Sequence, residues 1–116
     1  MMAKKMELSG TDRVMMSVLF PEKHDITTMT MVQDLRGRTK LSPEDMKQIE
    51  LRGMGGKTLW NEEKADALLK EYDFSEAEIT FLQERVELLN KEKQVPESLL
   101  SLCKKVREGG KEGGKK

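Results

Sequence analysis

Apolar residues recur at helical spacing through most of this chain and alternate with polar ones in short stretches. Val14 and Val18 stand four apart, with Met15 and Leu19 beside them, so a first helix is expected over about residues 11–20. Ser9 or Thr11 supplies its cap. Pro21 stops it, because the residue before a proline is driven out of the helical region. After a turn at residues 21–25, a second helix is expected over about residues 26–38, capped by Asp25 or Thr27. Its inward face reads Ile26, Met29, Val32 and Leu35, while Arg36, Arg38 and Lys40 suit the negative end of its dipole. Ser42 caps a third, short helix ending near Gln48. Pro43 fits its first position, and Glu44 and Asp45 favour its positive end.

The period then changes. Ile49-Glu50-Leu51 alternates as a strand does, Gly53-Met54-Gly55-Gly56 reads as a turn, and Lys57-Thr58-Leu59-Trp60 as the return strand of a small hairpin. From an Asn61 cap the spacing of Ala65, Leu68 and Leu69 is helical again, and Glu71-Tyr72-Asp73-Phe74 is extended. Ser75-Glu76-Ala77-Glu78 is a capping box, in which the serine and the third-position Glu reciprocally satisfy backbone donors. The helix it opens carries Ile79, Leu82, Val86 and Leu89 on one stripe. Pro96 opens a last helix with Leu99, Leu102 and Val106. Two such stripes on a short link make an antiparallel helical hairpin. The expected fold is mainly α with minor β: a small helical domain over residues 9–107, with one short β-hairpin near its middle and a C-terminal helical hairpin. Residues 1–8 are expected to be flexible and residues 108–116 to form a disordered Gly/Lys tail.

Composition narrows the functional classes. The chain has 116 residues, 36% hydrophobic and 36% charged, with 21 basic and 21 acidic side chains. That length holds one domain with one modest core. The longest apolar run, residues 14–20, falls far short of a membrane span. A polar stretch follows the N-terminal lysines where a secretory signal needs an apolar core. Cys103 is the single cysteine, which excludes an internal disulfide and a cysteine zinc cage, so a cytoplasmic location is expected. Charge is uneven: residues 1–40 carry a balance of +2, residues 41–103 of −6 and residues 104–116 of +4. The acidic middle opposes a dedicated nucleic-acid domain.

Several motifs invite chemistry. Gly53-Met54-Gly55-Gly56-Lys57-Thr58 ends like a phosphate-binding loop, but Leu51 stands where the first glycine belongs, and no buried strand precedes it. The reading is a hairpin turn. The order helix, helix, helix, hairpin over residues 11–60 resembles a winged-helix DNA reader, with Arg36, Arg38, Lys40, Arg52 and Lys57 as possible DNA contacts. Glu44 and Asp45 at the presumed reading helix argue against it. His24 beside Asp25 has no second histidine or nucleophile to work with and reads as an exposed turn residue. Cys103 reads as a buried small apolar side chain. The acids Glu62, Glu63, Asp66, Glu71 and Asp73 read as a solvated face without calcium-loop spacing. No catalytic, cofactor or metal residue is assigned. Nine methionines are many for this length. Core filling accounts for Met29 and one of Met15 or Met16, leaving an exposed patch of Met15, Met16, Leu19, Phe20 and Met31 as a partner or self-association surface.

Short stretches also bear a resemblance. Leu19-Phe20-Pro21 with Asp25-Ile26-Thr27-Thr28, residues 32–35, Leu41-Ser42-Pro43-Glu44, Thr58-Leu59-Trp60-Asn61 and Phe74-Ser75-Glu76-Ala77-Glu78-Ile79 occur in this order. Over residues 8–106 the chain is similar to small phage-type proteins of unassigned activity. The resemblance implies a phage or prophage accessory protein. The expectation is a non-enzymatic interaction protein that binds itself, as a homo-oligomer, or another protein partner; a winged-helix-like DNA regulator is the alternative.

Overall fold

The computed structural model describes residues 4–109 and 111–112. Lys4–Leu8 forms strand β1, with Met6 and Leu8 buried and Lys5 and Glu7 outside, the period of a strand with one face on a core. It pairs antiparallel with β4 (Lys70–Phe74), Met6 opposite Tyr72, Lys5 opposite Asp73 and Glu7 opposite Glu71. On its other side Lys4 and Lys5 pair with β5 (Lys111–Glu112), giving the order β4-β1-β5. The expected flexible N-terminus is therefore corrected from Lys4 onward; residues 1–3 lie outside the described part. Glu108 closes the last helix, Gly109 turns the chain at φ 78°, and the backbone of Lys111–Glu112 is a strand. Residues 110 and 113–116, the remainder of the expected tail, lie outside the described part.

Helix α1 (Gly10–Leu19) is capped by Ser9 in a full capping box with Asp12. Gly10 permits a close approach there: a Cβ would stand 3.1 Å from the Cα and Cβ of Ala65, on helix α4 (Glu62–Ala67). Helix α2 (Ile26–Thr39) is capped by Asp25 and buries Val32 and Leu35. Ile26, expected inside, is 86% exposed, because the chain from Glu22 to Thr27 is solvent-exposed throughout and the first turn of α2 stands clear of the core. After three linking residues, α3 (Pro43–Gln48) starts on a Ser42 capping box with Asp45.

The strand expected at Ile49-Glu50-Leu51 is instead a helix stop. Leu51 N–H donates to the Met46 carbonyl, Glu50 N–H donates to that of Lys47, and Glu50 takes φ 60°, a Schellman closure with a non-glycine residue in the left-handed position. Ile49 thereby turns inward. The hairpin begins one residue later, β2 (Arg52–Met54) pairing with β3 (Lys57–Leu59) across Gly55 and Gly56, whose φ of 58° and 80° match the favoured two-residue hairpin turn. Asn61 caps α4, which ends at Ala67, so Leu68 and Leu69 fall outside the helix and Leu69 is exposed. Helix α5 (Glu76–Lys91) starts on the Ser75 capping box and ends in a second Schellman closure, with Lys93 at φ 58°. A single 3-10 turn (Glu97–Leu99) leads into α6 (Leu100–Glu108), which packs on α5.

The main core gathers Met6, Leu8, Met16, Leu19, Val32, Leu35, Phe74, Leu82 and the stripe Leu99, Leu102 and Val106. A smaller one joins Leu41, Ile49 and Ala65 with Val14 and Trp60, whose indole N–H donates to the Thr11 hydroxyl at 3.1 Å. Helix α1 lies between them, touching β1, α2, α4, α5, the 3-10 turn and α6. The architecture is mainly helical with two small antiparallel sheets.

Candidate functional site

The last carbonyls of a helix have no partner within it. Here side chains from other helices supply one. Arg13 of α1 is buried and donates from Nε to the Thr39 carbonyl (3.1 Å), and from Nη2 to the Lys40 carbonyl (2.8 Å) and Asp45 Oδ2 (3.0 Å). One guanidinium thus joins α1, the end of α2 and the start of α3. Burial opposes ionisation of Asp45, but its Ser42 hydrogen bonds and the Arg13 guanidinium prevail and hold its carboxyl below the ordinary range. Arg85 of α5 likewise donates to the Leu19 carbonyl at 2.8 Å, and Gln83 to that of Val106 at 3.2 Å.

Beside Arg13 the three helices leave an open groove of about 200 Å³. Val14, Met16, Phe20 and Leu41 line its depth, and Met46 of α3, 40% exposed, forms one wall. Arg36 and Lys40 stand on its α2 side, the Arg36 guanidinium 5.4 Å from the centre of the Phe20 ring. Among the described residues neither cation pairs with a carboxylate. A second depression, about 220 Å³ between α5 and α6, is lined by Val86, Val95, Leu100 and Cys103, with Lys104 and Arg107 at its edge. Burial pushes the Cys103 thiol up, and nearby Arg107 only partly opposes it.

The expected Met/Leu/Phe patch is corrected. Met16, Leu19 and Phe20 are core residues, and Met15 and Met31 are partly buried against that core. Elements pack around α1 on several sides and cover Met16 and Leu19, leaving Ser17 and Val18 as its exposed strip. Exposed apolar side chains stand elsewhere, at Val18, Ile26, Met46, Met54, Leu69, Leu88 and Leu100.

The basic set divides. Arg38 is engaged structurally: it pairs with Asp34 and Glu78, donates to the Asp73 carbonyl at 2.7 Å, and lies 5.6 Å from the centre of the Phe74 ring. It is therefore corrected as a free DNA contact. Arg36 and Lys40 border the groove, while Arg52 and Lys57 stand exposed on the hairpin, Arg52 donating to the Glu50 carbonyl at 3.2 Å. Gly53-Met54-Gly55-Gly56-Lys57-Thr58 is strand, turn, strand, whereas a phosphate loop must open into a helix.

His24 is exposed, accepting the Asp25 N–H at 2.9 Å and lying 3.5 Å from Asp25 Oδ2. Asp25 caps α2, and its bond from the Thr28 N–H holds its carboxyl low. Asp73 pairs with Lys5, and Glu50 with Lys64. Among the described residues no three or more His, Cys, Asp or Glu side chains converge as metal ligands, and no helix is long and apolar enough to cross a membrane.

Two features had not been expected. Arg13 carried no marker, since one arginine in an amphipathic helix ordinarily faces solvent. Asp12 is wholly buried, accepting the Ser9 N–H at 3.0 Å and the Lys105 ammonium at 2.6 Å, with Oδ1 unpartnered among the described residues. The spacing Ser9-x-x-Asp12 is its readable signal; the tie to α6 had none. Comparison with protein-family models, with curated proteins and with solved structures finds no match.

Proposed function

We propose that this chain is a non-enzymatic accessory protein, of phage or prophage type, that works by helix-mediated self-association. The groove among α1, α2 and α3 carries the reading: an apolar interior, an exposed methionine wall and two cations that have no carboxylate partner among the described residues suit a docking surface rather than a reaction centre. His24 and Cys103, the side chains best suited to nucleophilic or acid–base work, stand on an exposed turn and in a buried position that disfavours the thiolate. Size-exclusion chromatography with light scattering over a range of concentrations tests it. Mass that rises with concentration is expected; a strict monomer at every concentration refutes it.

One observation favours a second reading, DNA binding. Residues 52–58 are all exposed, Met54 at 63%, and the hairpin carries Arg52 and Lys57 with no carboxylate between Leu51 and Asn61. It follows α2, a three-residue link and α3, an order a winged reader uses. Fluorescence anisotropy with a labelled duplex at low salt tests this. Binding that weakens with salt and with Arg52→Ala/Lys57→Ala supports it, and no binding at low salt removes it.

A further inference from the structure

The two cores come from different parts of the chain. Among the described residues, every member of the main core lies before residue 41 or after residue 69. The smaller core is the reverse. Leu41, Ile49 and Ala65, with Leu51, Trp60 and Leu68 packed on them, all come from residues 41–69, and Val14 of α1 is its member from outside. The segment is also tied within itself: Asn61 N–H donates to the Ile49 carbonyl at 2.7 Å, fastening the start of α4 to the end of α3, and Lys64 pairs with Glu50 at 2.7 Å. Residues 41–69 are therefore a lobe inserted between α2 and β4.

Its attachment is narrow. Among the described residues, the hydrogen bonds that cross from the lobe to the rest of the chain are Trp60 to Thr11 and Arg13 to Asp45, and α4 meets α1 where Ala65 faces Gly10. With Val14, these anchors all stand within residues 10–14, at the start of α1. Detachment leaves the body its own packing, because the main core keeps every member and Arg13 keeps the Thr39 and Lys40 carbonyls. The lobe loses more. A segment shorter than about 40 residues does not ordinarily hold a fold alone, and the buried side chains of this one are only Leu41, Ile49 and Ala65.

We infer that residues 41–69 form a cooperative unit that comes off α1 and unfolds while the rest of the chain stays folded. Leu41 and Met46 are the lobe's share of the groove, so the groove is complete only while the lobe is docked. Its remaining lining, on α1 and α2, stays with the body. A partner seated between the two sides holds the lobe closed, and one that takes α1 and α2 alone holds it off. The docking surface is thus made and unmade by an order–disorder step, whatever fills it.

Hydrogen exchange of the full chain tests it, followed amide by amide by NMR in low urea at one fixed protein concentration. The Leu51, Asn61 and Ala65 amides, each bonded inside the lobe, should exchange through one shared opening. That opening should be at least about tenfold more populated than the one that frees the β1–β4 ladder, and less sensitive to urea because it exposes less surface. Two substitutions then separate the units. Ile79→Val trims the main core and should speed ladder exchange about two- to tenfold while leaving the lobe amides unchanged. Thr11→Val removes the acceptor of Trp60 and should speed both sets by the same factor, about fivefold, because that bond is lost in either opening. Lobe amides that keep pace with the ladder, or that quicken with it in Ile79→Val, overturn the inference, since the chain then opens as a whole. Lobe amides that each follow urea differently overturn it too, since they share no opening.

Discussion

Replacing Arg13 with methionine isolates what the buried guanidinium does. The substitution keeps an apolar stem of similar length and removes the donors to Thr39, Lys40 and Asp45 together. Two helix-end carbonyls lose their partner, and a carboxylate 24% exposed is left beside no cation. Breaking a buried ion pair from one side typically costs about 3–5 kcal/mol, and water reaching Asp45 places this case near the lower end, about 3 kcal/mol. For a domain of this size that lowers the melting temperature by roughly 10 °C, at about 4 °C per kcal/mol. Urea unfolding followed by Trp60 fluorescence measures it, with the m-value expected to stay unchanged. Arg13→Met/Asp45→Asn should recover part of the loss, since asparagine can still accept at the helix start without leaving a charge unpaired. The acid limb supplies an independent check. A carboxyl held below its ordinary range stabilises the fold above that range, and the contribution disappears as pH falls below about 4 through the folded-state value. Arg13→Met should flatten this dependence. A destabilisation under about 0.5 kcal/mol, or a double variant no more stable than the single one, refutes the account.

Other outcomes follow from single positions. Lys93→Gly should stabilise by up to about 1 kcal/mol in urea unfolding, because a lysine at φ 58° carries left-handed strain that glycine lacks, less the glycine's greater unfolded-state freedom. Gly10→Ala should destabilise by about 1–3 kcal/mol in thermal unfolding, since the added methyl meets the Ala65 backbone rather than a movable side-chain end. Met16→Ala should cost about 2–5 kcal/mol, whereas Met54→Ala should leave stability unchanged in the same assay, distinguishing a core methionine from a hairpin one.

The elements legible in the sequence are those whose causes are local. Ser42-Pro43-Glu44-Asp45 and Ser75-Glu76-Ala77-Glu78 each determine a helix start within four residues, and both caps form. Gly55-Gly56 marks the hairpin turn for the same reason. Pairings at long range left weaker traces. Met6 and Leu8 alternate over only one full period among charged neighbours, and the partner of β1 lies some 66 residues along the chain. The strand-like Ile49-Glu50-Leu51 misleads because Glu50 accepts a backbone conformation usually left to glycine. The methionine face misleads because periodicity tells which side of a helix is apolar, not how many neighbours will cover it. Of the groove, Arg36 and Lys40 were legible as helix-end cations and Met46 as an apolar residue on a short helix. Their meeting depends on Arg13, whose partners lie 26 to 32 residues away.

The outer edge of β4 carries a consequence of its own. A strand at the rim of a sheet offers unpaired amides and carbonyls to any extended chain that drifts past, the first step of a templated aggregate. Arg38 occupies that rim at Asp73, taking its carbonyl while its own fork is held by Asp34 and Glu78. The plug belongs to α2, so it leaves when that helix unfolds. One carbonyl of the edge, that of Asp73, is thus occupied while the fold is intact, and a partly opened molecule would offer it to a second strand.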